Sequence, residues 1–228
     1  MHKSQQVFER LGKYRLVALL SPKTPEQCVT AYEVLNPLGV TLEIAFRSGA
    51  TLEGIRAVLE RHPDALVLAG TVLLAEQAEQ AIEAGVAGIV SADTIPEVVE
   101  VCVRHDVMCV PGGLGDVGKQ LVQKAKLYGC DLDGLRERYA YQWVHKLFPA
   151  IAGEVWFTGL AKAWRGPFKG LRVVYTGGVN RENLPRLVEQ DPEGIFCGSA
   201  LAKAIDDPER LREEAEAWVQ IVRSASRA

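Results

Sequence analysis

Lys146 lies in Trp143-Val144-His145-Lys146-Leu147-Phe148-Pro149-Ala150, a short apolar run closed by proline. Side chains on a strand alternate between faces, so Val144, Lys146 and Phe148 share one side while Trp143, His145 and Leu147 share the other. Both sides are apolar apart from the histidine and the lysine, the pattern of a parallel strand covered on both faces. Burial disfavours an ammonium and lowers its pKa, giving the neutral amine that adds to a ketone to form a Schiff base. For a lone strand-end lysine the alternative is a buried stem with its head in water.

Further groups repeat the theme. In the run 40–46 and just beyond it, Thr41, Glu43, Ala45 and Arg47 share one face, while Leu42, Ile44 and Phe46 form the apolar other. The charged pair on an inward face serves either as a buried ion pair or in chemistry. Ala65, Val67, Ala69 and Thr71 alternate likewise, so a hydroxyl is expected at the same rim; taken alone, Thr71 reads as a helix cap or loop residue. Thr176-Gly177-Gly178 and Cys197-Gly198-Ser199 each end an apolar run and lead into a helical segment. Glycines let backbone amides approach an anion, and a helix N-terminus adds unpaired donors; plain turn geometry is the alternative.

The elements that must position these groups follow from periodicity. Strands are expected at 14–20, 40–46, 65–69, 87–90, 107–110, 142–147, 171–175 and 194–197. Between them Pro22 to Leu38, Leu52 to His62, Leu74 to Ala84, Ile95 to Arg104, Leu114 to Lys126, Gly153 to Trp164 and Arg181 to Gln190 carry helical patterns. Eight alternating units predict an α/β fold, a (β/α)8 TIM barrel, as one domain over residues 1–228. Residues 2–12 are expected to form a short helix closing the barrel bottom. Pro208 to Ser224 forms an extra helix, with Leu211, Ala215, Trp218, Val219 and Val222 on the face that packs against the barrel or a neighbouring subunit.

Composition narrows the function. The 228 residues are 48% hydrophobic and 24% charged, enough for one large core. A net charge of −3 argues against a nucleic-acid surface but leaves room for a local cationic pocket. No apolar run reaches membrane-span length, and Met1-His2-Lys3-Ser4-Gln5-Gln6 lacks the order of a signal peptide, so a cytoplasmic protein is expected. Five scattered cysteines without a C-x-x-C read as reduced core thiols, and His2, His62, His105 and His145 have no ligand spacing, so neither a disulfide frame nor a metal site is expected. Gly113-Leu114-Gly115-Asp116-Val117-Gly118-Lys119-Gln120 imitates a nucleotide-binding P-loop, yet places Gln where a magnesium-holding hydroxyl belongs.

Glu43-x-x-x-Arg47, Ala69-Gly70-Thr71-Val72, Lys146-Leu147-Phe148-Pro149-Ala150, Thr176-Gly177-Gly178 and Gly198-Ser199, in this order from about residue 15 to 205, resemble the 2-keto-3-deoxy-6-phosphogluconate/4-hydroxy-2-oxoglutarate aldolase family. The resemblance implies a class I aldolase, usually a homotrimer, that releases pyruvate from a small keto acid, often phosphorylated, without metal or organic cofactor. It implies Lys146 as the Schiff-base lysine, Glu43 as proton shuttle, and Arg47 and Thr71 as holders of the pyruvate carboxylate. Phe148 and Pro149 would wall the pocket. Thr176, Gly177, Gly178, Gly198 and Ser199 would receive the distal phosphate or carboxylate. The chain departs from the family at Ser91-Ala92-Asp93, at Leu147, at 126–141, at Ile151-Ala152-Gly153-Glu154 and at Tyr175, changes around the distal half of the pocket that leave the pyruvate-forming half intact, so substrate choice is the open part. A phosphate-binding barrel isomerase or synthase would explain the glycine turns but not an inward lysine. A non-catalytic keto-acid binder would explain the altered distal loops.

Overall fold

The computed structural model describes residues 2–225; Met1 and 226–228 lie outside the described residues. In chain order the helices are α1 (Lys3–Tyr14), α2 (Pro25–Leu35), α3 (Thr51–Arg61), α4 (Ala75–Glu83), α5 (Pro96–Arg104), α6 (Val117–Leu127), α7 (Leu132–Arg138), α8 (Gly159–Arg165), α9 (Leu184–Val188), α10 (Ser199–Ala202) and α11 (Pro208–Ala225). The strands are β1 (Leu16–Leu20), β2 (Thr41–Ala45), β3 (Leu68–Gly70), β4 (Gly88–Val90), β5 (Met108–Val110), β6 (Gly112–Gly113), β7 (Val144–Leu147), β8 (Ile151–Ala152), β9 (Val155–Trp156), β10 (Arg172–Thr176) and β11 (Gly194–Cys197). The parallel sheet runs β5-β4-β3-β2-β1-β11-β10-β7-β6. Its two ends, β5 and β6, are consecutive segments of one strand interrupted by Pro111, which has no N–H to give a ladder. The sheet therefore closes on itself as the eight-stranded barrel with an outer helical layer.

Alternation sorts the core into two layers. Val17, Leu68, Val90, Met108, Val110, Val144, Val174 and Phe196 fill the barrel interior. Leu16, Leu42, Ile44, Ala69, Ile89, Cys109, Leu147, Tyr175 and Ile195 face the helices. Helix α1 plugs one end of the barrel with Val7 and Leu11. Its buried Ser4 hydroxyl donates to Ala87 O and accepts from Met108 N, both at 2.9 Å. Two helix starts carry side-chain caps: at α2 Thr24 Oγ1 accepts from Gln27 N, and at α7 Asp131 Oδ1 accepts from Gly134 N. The C-terminal helix buries Leu211, Ala215, Trp218 and Val222 against the rest of the chain, and Val219 is partly buried beside them. Cys28, Cys102, Cys109 and Cys197 are buried free thiols and Cys130 is half-buried. Among the described residues no helix is long and apolar enough to cross a membrane.

One expected helix is corrected. Gly153 to Trp164 is not continuous: β8 and β9 form an antiparallel hairpin, and helix begins only at Gly159. Gly153 at φ 59° makes the turn, a conformation that glycine adopts without steric cost, and Gly-Glu between short apolar pairs is a hairpin signal. The connection over 126–141 contains α7 and a 3-10 turn at Ala140–Gln142.

Side chains stitch the seam where β5 and β7 lie side by side without a ladder. Gln142 accepts from Cys109 N (3.1 Å) and donates to Val107 O (2.8 Å), as a strand backbone would. Gln120 Nε2 donates to Val144 O at 3.2 Å. Lys124, fully buried, donates from Nζ to Cys109 O (2.8 Å) and Gln142 O (2.9 Å). Two acceptors need only two N–H groups, so the neutral amine suffices, and burial pushes the Lys124 pKa down from 10.5 to about 8. Between pH 8 and 10.5 the unfolded chain then binds more protons at this residue than the folded one. Stability should rise with pH across that window, by on the order of 3 kcal/mol from this group. Urea unfolding of Lys124→Met should lose that rise relative to wild type; parallel pH curves would refute it.

Candidate active site

Two ionisable residues occupy inward strand positions. Glu43 is the third residue of β2 and Lys146 the third of β7; alternation sends both into the interior, Lys146 on the same side as core Val144. Glu43 is fully buried and Lys146 is 4% exposed. Neither carboxyl oxygen of Glu43 has a hydrogen-bond partner. An unpartnered buried carboxyl is costly for stability, and such a group is expected where a ligand or a proton transfer will use it. The Lys146 ammonium stands over the Phe148 ring, 5.6 Å from its centroid.

Two glycines make room for these side chains, and sequence reading did not assign them that part. A Cβ on Gly70 would stand 1.7 Å from Glu43 Oε1. A Cβ on Gly112 would stand 2.9 Å from Lys146 Cε and 2.7 Å from the carbonyl oxygens of Ser91 and Ala92. Gly112 sits beside Lys146 in the ladder, with Val174 on the other side. The available signal was a glycine at a strand end beside a strand carrying a long inward side chain, but the pairing that brings them together is not local.

Burial drives the two ionisable groups toward each other. Desolvation raises the Glu43 pKa, opposed by the charges of Lys146 and Arg47. Desolvation lowers the Lys146 pKa, opposed by Glu43 and reinforced by Arg47. Both shifts favour the neutral forms, a free amine and a protonated carboxyl: a nucleophile and a proton donor.

The remaining expected residues fall at the same strand ends, with two corrections of placement. Strand β2 stops at Ala45, and Arg47 N–H turns back to Ala45 O at 2.7 Å. Arg47 is therefore an exposed rim residue and not an inward strand position, which excludes the buried ion pair with Glu43. Ala65 and Ala69 face the helices, so regular alternation would have turned Thr71 outward with them. Instead Thr71 adopts φ 55°. A β-branched residue there is strained, and such strain collects at functional sites.

Phe148 and Pro149, joined by a cis peptide, lie against the glycine turn after β10. Ala150 N donates to Thr176 O at 2.7 Å and Ile151 N to Gly177 O at 3.1 Å. Thr176 is buried; Gly177 and Gly178 have φ 86° and 73°, and a Cβ on Gly178 would stand 2.2 Å from Ile151 O. Close packing against the lysine loop accounts for these glycines. At Gly198 an added Cβ would make only ordinary contact, 3.7 Å from Leu19 O. Ser199 is exposed at the start of α10. The P-loop imitation is no phosphate cradle: Lys119 is exposed and ion-paired to Asp116 at 3.5 Å. Among the described residues no group of three or more His, Cys, Asp or Glu could hold a metal ion.

A closed barrel with a buried lysine and a buried carboxyl on inward strand faces is an arrangement suited to amine addition at a carbonyl carbon. Comparison with known proteins makes this specific. Residues 7–212 match the family model for KDPG and KHG aldolase. The chain is 30% identical over 197 residues to the 2-dehydro-3-deoxy-phosphogluconate aldolase of Treponema pallidum (strain Nichols), covering 85% of this chain and 84% of that one. It is 26% identical over 215 residues to the 2-dehydro-3-deoxy-6-phosphogalactonate aldolase of Escherichia coli (strain K12), covering 93% and 97%. A native KDPGal structure superposes with a TM-score of 0.76 at 25% identity, covering 93% of this chain and 96% of that one. The chain belongs to the KDPG/KHG aldolase family and is an aldolase, a carbon–carbon lyase.

Proposed function

We propose that this aldolase works through a Schiff base on Lys146, with Glu43 carrying protons, and cleaves a 2-keto-3-deoxy-6-phospho sugar acid or 4-hydroxy-2-oxoglutarate to pyruvate and an aldehyde. The observation that carries the proposal is the buried Lys146 amine in electrostatic contact with a buried carboxyl that has no hydrogen-bond partner. Neutral Lys146 Nζ adds to the C2 ketone, and the carbinolamine loses water as protonated Glu43 gives up its proton. The protonated imine accepts the electron pair when the C4 hydroxyl loses its proton and the C3–C4 bond breaks. The aldehyde leaves, C3 of the enamine is protonated, and water releases pyruvate from Nζ. Arg47 and Thr71 at the rim hold the carboxylate, for which the guanidinium fork is suited. Thr176, Gly177, Gly178, Gly198 and Ser199 receive the distal anion, and Phe148 and Pro149 wall the pocket.

The names of the relatives supply the candidate substrates, and a pyruvate-release assay across both acids and their C4 epimers tests them. A mass increase on Lys146 after borohydride reduction with pyruvate supports the Schiff base; turnover of phosphosugars without labelling would support an isomerase instead. Glu43→Gln should still be trapped by borohydride, while turnover falls by about a hundredfold or more. The Glu43 charge raises the Lys146 pKa. Removing it should therefore shift the acid limb of the trapping rate to lower pH, and a shift to higher pH would contradict the coupling.

A homotrimer in the cytoplasm completes the proposal. A structural neighbour at 25% identity and TM-score 0.76 is a cage designed by fusing symmetric oligomeric domains. The loop after β3 also exposes Leu73 (47%) and Leu74 (58%), apolar surface suited to a subunit contact. Light scattering giving the mass of one chain would rule the trimer out.

A further inference from the structure

The buried residue next to Lys146 that no catalytic step uses is His145. Alternation turns it away from the barrel interior; it is fully buried, edge-on to Trp164 with ring centroids 5.0 Å apart. Its Nε2 lies 3.3 Å from Gly113 O, and its Nδ1 has no partner. These two contacts select one protonation state. A proton on Nδ1 would bury a donor with no acceptor and set the Nε2 lone pair against a carbonyl oxygen; a proton on Nε2 makes a hydrogen bond and leaves only an idle lone pair. The imidazolium is also disfavoured, because burial pushes the ring pKa down to about 4 against the pull of the Gly113 carbonyl.

The contact matters because of what Gly113 belongs to. Strand β6 is only Gly112 and Gly113, paired with Lys146 and Leu147. It follows a proline, and glycine backbone is the least constrained in the chain. Gly112 is the position the Lys146 stem passes, where a Cβ would stand 2.9 Å from Cε. Three contacts hold this segment from Pro111 to Gly113. Lys146 N donates to Pro111 O (2.8 Å), Thr94 Oγ1 to Gly112 O (3.3 Å), and Phe148 N to Gly113 O at a long 3.5 Å. His145 Nε2 adds a second donor at Gly113 O, where the backbone bond from Phe148 is long.

We infer that His145 is a positioning residue: as a neutral Nε2–H imidazole it fixes Gly112-Gly113 beside the Lys146 stem and so aims the amine at the keto carbon. The inference rests on the Lys146 Schiff-base reading. It also goes beyond the motif that carries the family resemblance, which begins one residue later, at Lys146.

The test compares wild type with His145→Phe, which keeps a ring against Trp164 but loses the donor, and His145→Gln, whose amide restores a donor at similar reach. The rate of borohydride trapping at saturating pyruvate should fall about ten- to hundredfold in the Phe variant, the size expected for a misaimed reacting group. Its kcat should fall in proportion with KM within about twofold, the split expected when transition-state alignment is lost but substrate binding is kept. The Gln variant should recover most of the rate. A trapping rate in His145→Phe equal to wild type, or no recovery with Gln, overturns the inference while leaving the Schiff base standing. Absence of trapping in wild type overturns the Schiff base and the inference with it. Should the Phe variant not fold, a long-range 1H–15N spectrum of the wild-type enzyme decides: an Nε2–H signature for His145 is expected, and Nδ1–H or imidazolium at neutral pH refutes it.

Discussion

Lys146→Ala is expected to release no measurable pyruvate from any of the candidate acids, a loss of about 10⁴-fold or more, because covalent catalysis splits one difficult step into two easier ones and no neighbouring group replaces the amine. Lys146→Arg should fail as completely, since a guanidinium stays protonated and cannot add to a ketone. The other buried lysine makes the experiment sharper. Lys124 is fully buried and committed to two carbonyl oxygens in the seam behind the barrel wall. Borohydride with pyruvate should therefore label a single peptide, the one containing Lys146, and Lys146→Ala should abolish labelling altogether. Label on Lys124, or substantial turnover without Lys146, would remove the proposed mechanism.

Gly70→Ala should damage catalysis nearly as much as removing the carboxylate, although it adds one methyl group and touches no charge. The added carbon would stand 1.7 Å from Glu43 Oε1 and 2.4 Å from Cδ, so the carboxyl must move. Overpacking of this kind costs about 1–3 kcal/mol of stability, small enough for the barrel to fold. Turnover should nevertheless fall about a hundredfold or more, the range for a misplaced general acid–base group. If displacement of Glu43 is the cause, the double variant Gly70→Ala/Glu43→Gln should be no slower than the slower single variant, because the second change removes a group already out of place. Steady-state kinetics of the three variants, with urea unfolding to confirm the fold, decide it. Unchanged turnover in Gly70→Ala, or fully multiplicative losses, would contradict the steric account.

Local periodicity carried the eight strand–helix units, the plugging helix at the start and the C-terminal helix, because burial on a strand repeats every two residues and on a helix every three to four. It also placed Glu43 and Lys146 on the inner faces of their strands. It failed where the backbone leaves that regular period. Arg47 leaves its strand through a tight turn, and Thr71 departs from strand geometry with a left-handed φ of 55°. The hairpin of β8 and β9 hides inside a segment whose apolar spacing also fits a helix. The resemblance supplied what periodicity could not, namely roles for the rim residues.

By itself, then, the sequence determined the alternating architecture, the family and the two ionisable residue types on inward strand faces. Only the closed tertiary structure decided how dry those groups are, that Gly70 and Gly112 must lack side chains, and that His145 and Lys124 brace the strands around them. The physical reason is range. Alternation is set by neighbours in the chain, whereas the space a side chain occupies and the shift of its pKa are set by atoms that only barrel closure brings alongside.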